Sequence, residues 1–204
     1  MPDKRIYLAS RSPRRRELLR QIGISFELLL LRQDPRRGAD VDETPLPGEA
    51  PSDYVLRIAR AKAGVAAHQV MQRALRPHPV LAADTTVVLD EAVIGKPEGA
   101  EHAAQILSAL AGREHQVMTA VAVAMRDRVE SALSISSVEF RALSAAEIQR
   151  YIASGEPFGK AGAYAIQGRA AVFATRINGS YSGIMGLPLA ETAGLLGKFD
   201  IEAV

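Results

Sequence analysis

The sequence predicts an α/β protein with a mixed sheet. Short apolar runs typical of strands alternate with segments whose apolar residues recur every three to four positions, as in amphipathic helices. Two apolar runs, Gln116–Ala124 and Val129–Phe140, flank a turn at 126–128 and predict an antiparallel hairpin, which argues against a purely parallel sheet. The 204 residues are enough for one sizeable core, or at most two small lobes around one cleft. We therefore expect a single domain over residues 1–204.

The chain opens with a predicted strand and helix that are joined by a tight turn. Ile6–Ala9 is apolar throughout, as in a short buried strand. A helix is predicted over Pro13–Ile22, because Ser12 is a good N-cap and proline suits the first helical position. Gly23 suits its end. A second strand is expected at about residues 26–31.

A polar loop and a long helix are predicted next. Residues 33–51 are rich in proline, glycine and acidic side chains, which is typical of a loop. From Pro51 to about Leu75 the apolar residues follow helical spacing. Lys62 falls on the apolar face of this helix. The spacing alone leaves open whether this lysine snorkels from the edge of the apolar stripe or points into a site.

The rest of the chain is predicted as further strands and helices. Residues 80–89 form one apolar run that is interrupted by Asp84-Thr85-Thr86. The other expected elements are a turn at Gly95-Lys96-Pro97, helices at about Ala100–Leu110, Ser144–Ser154 and Leu187–Leu196, a glycine-rich loop at 155–168, a strand at Val172–Ile177 and a turn at Asn178-Gly179.

Composition excludes several classes of site and location. The absence of cysteine excludes disulfides, thiolate metal sites and cysteine nucleophiles. Aromatic residues make up 5% with no Trp, which argues against a stacking platform for single-stranded nucleic acid. No apolar run approaches the roughly 18 residues of a membrane span, and the first residues lead into no apolar signal segment. We therefore expect a cytoplasmic protein with neither a membrane nor a nucleic-acid partner.

The formal net charge of +2 conceals an uneven distribution. Residues 1–40 carry ten basic and five acidic side chains, a local charge of +5, and the remainder of the chain is therefore −3. A local basic cluster predicts an anionic ligand more directly than the whole-chain charge does.

The basic cluster coincides with the start of the first predicted helix. Free backbone N–H groups and the positive end of the dipole suit an anion there. The same dipole disfavours the arginines at 14–16 unless an anion is bound, and their guanidinium groups match phosphate oxygens. Ser10 and Ser12 add hydroxyl donors. These residues favour a phosphate site over the alternative of a capped surface helix with solvated arginines.

Asp84 is a candidate for chemistry because it stands inside an apolar strand run. A buried carboxylate is costly unless it is paired, hydrogen-bonded or metal-bound. If it is functional, Asp84 can activate a water or bind a divalent cation, with Asp42 and Glu43 of the acidic loop as further carboxylates. The spacing equally allows a strand end at which Asp84 reaches solvent.

The segment Gly159-Lys160-Ala161 has some features of a phosphate-binding loop but fails the test for one. The spacing from Gly155 to Gly159 is one residue short of the Walker pattern, and Ala161 stands where Ser or Thr is needed for magnesium. The four histidines show no metal-ligand spacing.

Taken together, these pieces resemble the Maf family of nucleotide pyrophosphatases over nearly the whole chain. Any one piece alone is a weak signal, but the ordered set is highly specific. The matching segments are Leu8-Ala9-Ser10-x-Ser12-Pro13-Arg14-Arg15-x-Glu17-Leu18-Leu19, Ala61-Lys62-Ala63, Ala83-Asp84-Thr85, Gly95-Lys96-Pro97, Ser137-x-x-Phe140, Gly159 to Gly168, Gly179-Ser180-Tyr181 and Gly186-Leu187-Pro188-Leu189.

The resemblance implies an elongated mixed sheet with flanking helices and a central cleft, related to the inosine triphosphate pyrophosphatases. It implies hydrolysis of a nucleoside triphosphate to the monophosphate and pyrophosphate with a divalent cation, Mg²⁺ or Mn²⁺. The segment from Ala163 to Gly168 is similar to the branch that acts on dTTP and UTP, with modified pyrimidine nucleotides as further candidates. A homodimer, and a link to restraint of septum formation, are also implied.

Matching positions carry the implied roles. Asp84 matches the proton acceptor, and Glu43 matches a metal-associated acid that would share the cation with Asp84. The remaining matched positions bind substrate: Ser10, Arg14, Arg15, Lys62 and Lys96 at the phosphates, and Arg14, Thr85 and Gln167 in substrate choice. The resemblance favours a cleft position for Lys62. The run Arg32 to Gly38 departs from the family pattern as an embellishment of the acidic loop.

Three alternatives remain open. The same reaction on 7-methyl-GTP would differ only in the base. A nucleotide-binding regulator of septum formation would bind triphosphate without turnover. A nucleic-acid binder using the arginine cluster would bind DNA or RNA with strong salt dependence.

Overall fold

A computed structural model describes residues 5–34 and 38–204 and shows helices around a seven-stranded mixed sheet. The strands of this sheet and of a small separate hairpin, β3 with β4, are β1 (Arg5–Leu8), β2 (Ser25–Leu28), β3 (Gln33–Asp34), β4 (Gly38–Ala39), β5 (Val80–Leu89), β6 (Ala92–Ile94), β7 (Glu114–Met125), β8 (Arg128–Phe140) and β9 (Ala174–Asn178). The helices are α1 (Pro13–Gln21), α2 (Pro51–Gln72), α3 (Ala100–Leu110), α4 (Ala145–Ala153), α5 (Tyr181–Ile184) and α6 (Leu189–Gly197), with 3-10 turns at Ala161–Ala163 and Arg169–Phe173.

The strand order is β2-β1-β5-β7-β8-β9, and β6 also pairs with β5. β1 runs parallel to both β2 and β5, whereas all other pairs in this sheet are antiparallel. The predicted α/β class, mixed sheet and long hairpin of β7 and β8 are therefore confirmed.

Helices cover both faces of the sheet. The apolar stripe of α2 packs against Val80, Ala82 and Val88 of β5 on one face. On the other face, α1 and α6 pack near the start of β5 and α3 and α4 near its end. Because successive strand residues alternate between faces, β5 contributes side chains to both layers.

The helix starts follow the local chemistry of the sequence. Ser12 caps α1 by accepting a hydrogen bond from the backbone N–H of Arg15, and Pro13 is the first helical residue. Ser144 and Glu147 form a complete capping box at the start of α4. Both helix starts were predictable because their caps are formed by side chains that are close in sequence.

Several boundaries differ from the prediction. Asp84 does not end or interrupt a strand, because β5 continues through it with β7 paired opposite. The second strand is Ser25–Leu28 rather than residues 26–31. Expected loop residues form β3 and β4, and the last predicted strand begins as a 3-10 turn before β9. Short elements such as β6 and α5 were not predicted, because they have too few residues to show the periodic apolar pattern of a strand or helix.

Two findings concern the predicted location of the protein and the run Arg32 to Gly38. No helix among the described residues is long and apolar enough to cross a membrane. Residues 35–37, in the run interpreted as an embellishment of the acidic loop, lie outside the described residues, as do residues 1–4.

A buried histidine lies in the core between the sheet and the C-terminal half of the chain. His115 is 2% exposed, and its Nε2 lies 2.8 Å from the hydroxyl of Tyr164. The rings of Phe140 and Tyr164 contact its imidazole edge to face. Burial lowers the pKa of His115 from 6.5 to about 4, so the folded protein holds it neutral.

Acid should therefore destabilise the fold through His115. The unfolded chain takes up a proton near pH 6.5 but the folded chain only near pH 4, so the free energy of unfolding should fall by about 3 kcal/mol across that interval. Above pH 6.5 this residue contributes no slope. Urea unfolding at several pH values between 4 and 8 gives the free energy of unfolding as a function of pH. This free energy should depend less steeply on pH for His115→Phe than for wild type, whereas exposed His68→Gln should keep the wild-type dependence. Equal slopes in all three would contradict the assignment.

Candidate active site

The candidate site lies where the pairing of β5 is interrupted along one edge. β7 pairs with one edge of β5 from Val80 to Val88. On the other edge, β1 pairs at Val80 and Leu81, and β6 pairs only from Val87 onward. Within the described part of the chain, no strand pairs with residues 82–86 on that second edge. The sheet therefore has an opening at its centre, directly beside Asp84 and Thr85.

Arg15 occupies part of this opening from the first turn of α1. Its Nη1 donates to the carbonyl of Ala83 at 2.7 Å, in the place of a neighbouring strand, and to the hydroxyl of Ser10 at 3.2 Å. Its Nε donates to the carbonyl of Gly186 at 2.7 Å and its Nη2 to Thr85 Oγ1 at 3.2 Å. Four of its five N–H donors are thus used within the protein. Burial lowers the pKa of Arg15, and Asp84 opposes that shift.

Asp84 and Thr85 point to opposite faces of the sheet, because they are consecutive residues of one strand. Asp84 shares its face with the α2-packed residues of β5, and Thr85 shares the other face with Val87. The cleft at the open edge therefore has two different walls.

The Asp84 wall is formed by charged side chains. Lys62 on α2 places its Nζ 2.7 Å from Asp84 Oδ1 and 3.0 Å from Glu43 Oε1. The side chains of Lys62 and Asp84 are only 14% and 13% exposed, whereas that of Glu43 is 39% exposed. One lysine thus holds two carboxylates together at the mouth of the cleft. Of the two interpretations of Lys62, the structure shows the cleft position.

The acidic loop is fixed to α2, which places Glu43 at the site. Tyr54 donates its hydroxyl to the carbonyl of Glu43 at 3.1 Å. Arg57 binds both oxygens of Glu49 at 2.6 and 2.7 Å and donates to the carbonyl of Thr44 at 3.0 Å. These contacts hold the loop at Glu43 and after it, so the position of its carboxylate does not depend on Lys62 alone.

The Thr85 wall is largely apolar. Val87, Val117, Ile184 and Met185 line the cleft on this side, together with the ring of Tyr164. An apolar surface of this kind suits a nucleobase.

A cationic corner of the cleft lies at the start of α1, opposite the loop after α4. Arg14 and Lys160 both line the cleft, and Nε of Arg14 is buried without a hydrogen-bond partner in the part of the chain that the structure describes. Burial lowers the pKa of Arg14, and Glu156 opposes the shift. Burial likewise lowers the pKa of Lys160, reinforced by repulsion from Arg14. Lys160 donates to the carbonyl of Glu156 rather than to its carboxylate. Two adjacent cations that lack an ion pair among the described residues favour an anionic ligand.

All of the predicted site residues line this one cleft of about 460 Å³. Lys96 and Gln167 are exposed at its rim, and Ser10 is buried at its base. The complete set is Ser10, Arg14, Arg15, Glu43, Lys62, Asp84, Thr85, Lys96 and Gln167. Residues from distant parts of the sequence therefore meet at the opening in the sheet.

Lys160 and Phe158 line the same cleft and were not predicted as site residues. The signal for Lys160 was the Gly159-Lys160 segment, which was set aside because it lacks the Walker spacing. The lysine is nonetheless delivered to the cleft by a different backbone geometry, with positive φ at Gly159 and Gly162.

Comparison with known proteins identifies the family. Residues 5–199 match the family model described as Maf-like protein. The chain belongs to the Maf family. Three Maf relatives, each named dTTP/UTP pyrophosphatase, are those of Nitrosomonas europaea (58% identical, covering 97% of this chain and 95% of the relative), Aromatoleum aromaticum (58%, 96% and 95%) and Nitrosospira multiformis (57%, 98% and 97%). The resemblance to the dTTP/UTP branch of the Maf family is thereby confirmed.

Arg15 should be a stability residue as well as a site residue. Lysine cannot reach the carbonyls of Ala83 and Gly186 and the hydroxyls together, so Arg15→Lys should lower the free energy of unfolding by about 3 kcal/mol. Exposed Arg20→Lys on the same helix should change it by less than about 0.5 kcal/mol. Urea unfolding measures both. Equal stabilities of the two variants would show that the Arg15 contacts do not hold the opening.

Proposed function

We propose that this protein hydrolyses dTTP and UTP to the nucleoside monophosphate and pyrophosphate. The main support is the opening in the sheet, whose cationic side chains fit a triphosphate and whose apolar wall fits a base. The names of the relatives give the same reaction and substrates. Since such substrates are cytoplasmic, we propose that location too.

In the proposed mechanism Asp84 activates the water. Lys62 binds Oδ1 of Asp84, so the second carboxylate oxygen is the one that we assign as the base. It takes a proton from a water whose oxygen attacks the α-phosphorus. The bond from that phosphorus to the bridging oxygen of the β-phosphate breaks, and pyrophosphate leaves. Lys62 holds the carboxylate in one orientation during this step.

Cationic side chains hold the triphosphate in this proposal. Arg14 supplies the buried Nε–H that has no partner within residues 5–34 and 38–204, and Lys160 lies close to it. Lys62 approaches from the Asp84 wall, Lys96 lies at the rim of the cleft, and Arg15 has one N–H donor left after its protein contacts. Positive groups fixed in place before substrate arrives stabilise charge that develops on the leaving pyrophosphate.

The carboxylates of Glu43 and Asp84 fit a divalent cation, because they lie close together and each keeps oxygen lone pairs that Lys62 does not use. Within the described residues no cluster of three or more His, Asp or Glu could hold a metal ion. The protein would therefore supply two ligands and leave the others to phosphate and water, as is usual for Mg²⁺. When bound, Mg²⁺ or Mn²⁺ would neutralise phosphate charge and polarise the α-phosphorus.

Gln167 is the proposed reader of the base. Its amide carries a donor and an acceptor, and its position at the rim of the apolar wall suits the edge of a pyrimidine.

Replacement of Asp84 by Asn should abolish turnover without unfolding the protein. Asparagine keeps the shape and an acceptor for Lys62 but cannot take a proton, so kcat for UTP should fall by about 10²–10⁴-fold. Asp90→Asn, at an exposed salt bridge with Arg113, is the matched control and should retain wild-type kcat. Pyrophosphate release measures both. Near-normal release by Asp84→Asn would refute the base assignment.

A panel of nucleoside triphosphates tests the substrate. With Mg²⁺ or Mn²⁺, wild type should release pyrophosphate from dTTP and UTP at least about tenfold faster than from CTP, GTP or 7-methyl-GTP, and chelation should stop it. Gln167→Ala should narrow these differences because it removes the amide that reads the base. Preference for 7-methyl-GTP would show that the protein acts on that substrate instead. Tight triphosphate binding without product would support the nucleotide-binding regulator.

A further inference from the structure

A buried threonine that belongs to none of the site assignments above lies behind Thr85. Thr119 of β7 is directly opposite Thr85 in the β5–β7 pairing and is completely buried. Its Oγ1 lies 2.8 Å from the carbonyl oxygen of Gly183 and 2.9 Å from Oγ1 of Thr85.

The direction of each hydrogen bond in this group follows from the number of protons. The carbonyl of Gly183 can only accept, so Thr119 gives it its single hydroxyl proton. Thr119 then has no proton left for Thr85, and Thr85 must donate to Thr119. Arginine can only donate, so Nη2 of Arg15 donates to Thr85 at 3.2 Å. The chain of donors therefore runs from Arg15 through Thr85 and Thr119 to Gly183.

This direction determines what Thr85 can offer to a ligand. Its only proton is directed away from the cleft, and one of its lone pairs is taken by Arg15. A single acceptor site remains on the wall that suits the base. Uracil and thymine carry a donor at N3, whereas cytosine carries an acceptor there.

We propose that Thr119 is a positioning residue that accepts the hydrogen bond from Thr85, so that the Thr85 hydroxyl can only accept a hydrogen bond from a ligand in the cleft. The site then favours bases with an N3 donor over cytosine. The selection part rests on the function proposed above. The hydrogen-bond direction rests only on the geometry.

The closest test removes one hydroxyl and preserves the shape. In Thr119→Val, Gly183 keeps a hydrogen bond from the backbone N–H of Gly186 at 2.9 Å, so no carbonyl is left without a partner. Thr85 can then turn its proton into the cleft. The ratio of kcat/KM for UTP to that for CTP should fall about tenfold, and Thr119→Ser, which keeps the hydroxyl, should stay within about twofold of wild type.

Thr192→Val is the matched control. Thr192 is also completely buried, but its hydroxyl has no partner among the described residues and lies outside the cleft lining, so the UTP to CTP ratio should not change. The proposal is overturned if Thr119→Val leaves that ratio unchanged, or if Thr119→Val loses activity equally on both nucleotides.

Neutron diffraction from the wild-type protein in D₂O tests the direction without any variant or assay. A deuteron on Thr85 Oγ1 that points to Thr119 supports the proposal, and one that points into the cleft overturns it. Because this measurement needs no turnover, it separates failure of this inference from failure of the proposed pyrophosphatase activity.

Discussion

The arrangement of the site depends on the incomplete pairing along one edge of β5. β1 leaves this edge after Leu81 and β6 joins it only at Val87. An open strand edge in a protein core would leave backbone groups unsatisfied. Arg15 compensates by binding the carbonyl of Ala83 while it joins α1, Ser10 and the Gly186 segment to the sheet. The opening is thus stabilised by a cation, and a cation at this place also suits a phosphate ligand.

The same opening gives the ligand access to both faces of one strand. Asp84 and Thr85 are adjacent in sequence but face different layers of the fold. The cleft is lined by charged side chains beside Asp84 and is largely apolar beside Thr85. A nucleoside triphosphate has the same division between its two ends. We therefore propose that the substrate crosses the edge of β5, with its α-phosphate beside Asp84 and its base beside Thr85.

Much of this site could be predicted from the sequence, for reasons that differ among residues. Ser12 and Pro13 mark a helix start by local chemistry, and Asp84 stands out as a carboxylate in an apolar run. Lys62 was ambiguous, because helical spacing gives its face but not what lies opposite. Thr119 and the structural use of Arg15 could not be predicted, since both depend on partners about 35 to 170 residues away. Lys160 was missed because the Gly159-Lys160 segment was compared with the Walker spacing, whereas this loop brings its lysine to the cleft by a different backbone geometry.

The most direct test of this account is a crystal structure with a UTP analogue in which a methylene group replaces the oxygen between the α- and β-phosphorus atoms. The account predicts the α-phosphorus beside Asp84 and Lys62, the other phosphates at the open edge between Lys62 and the cations Arg14 and Lys160, and the uracil on the face of Val117 and Thr85. A complex in which the base and the α-phosphorus lie on the same face of β5, or in which the analogue binds outside the opening, would contradict it.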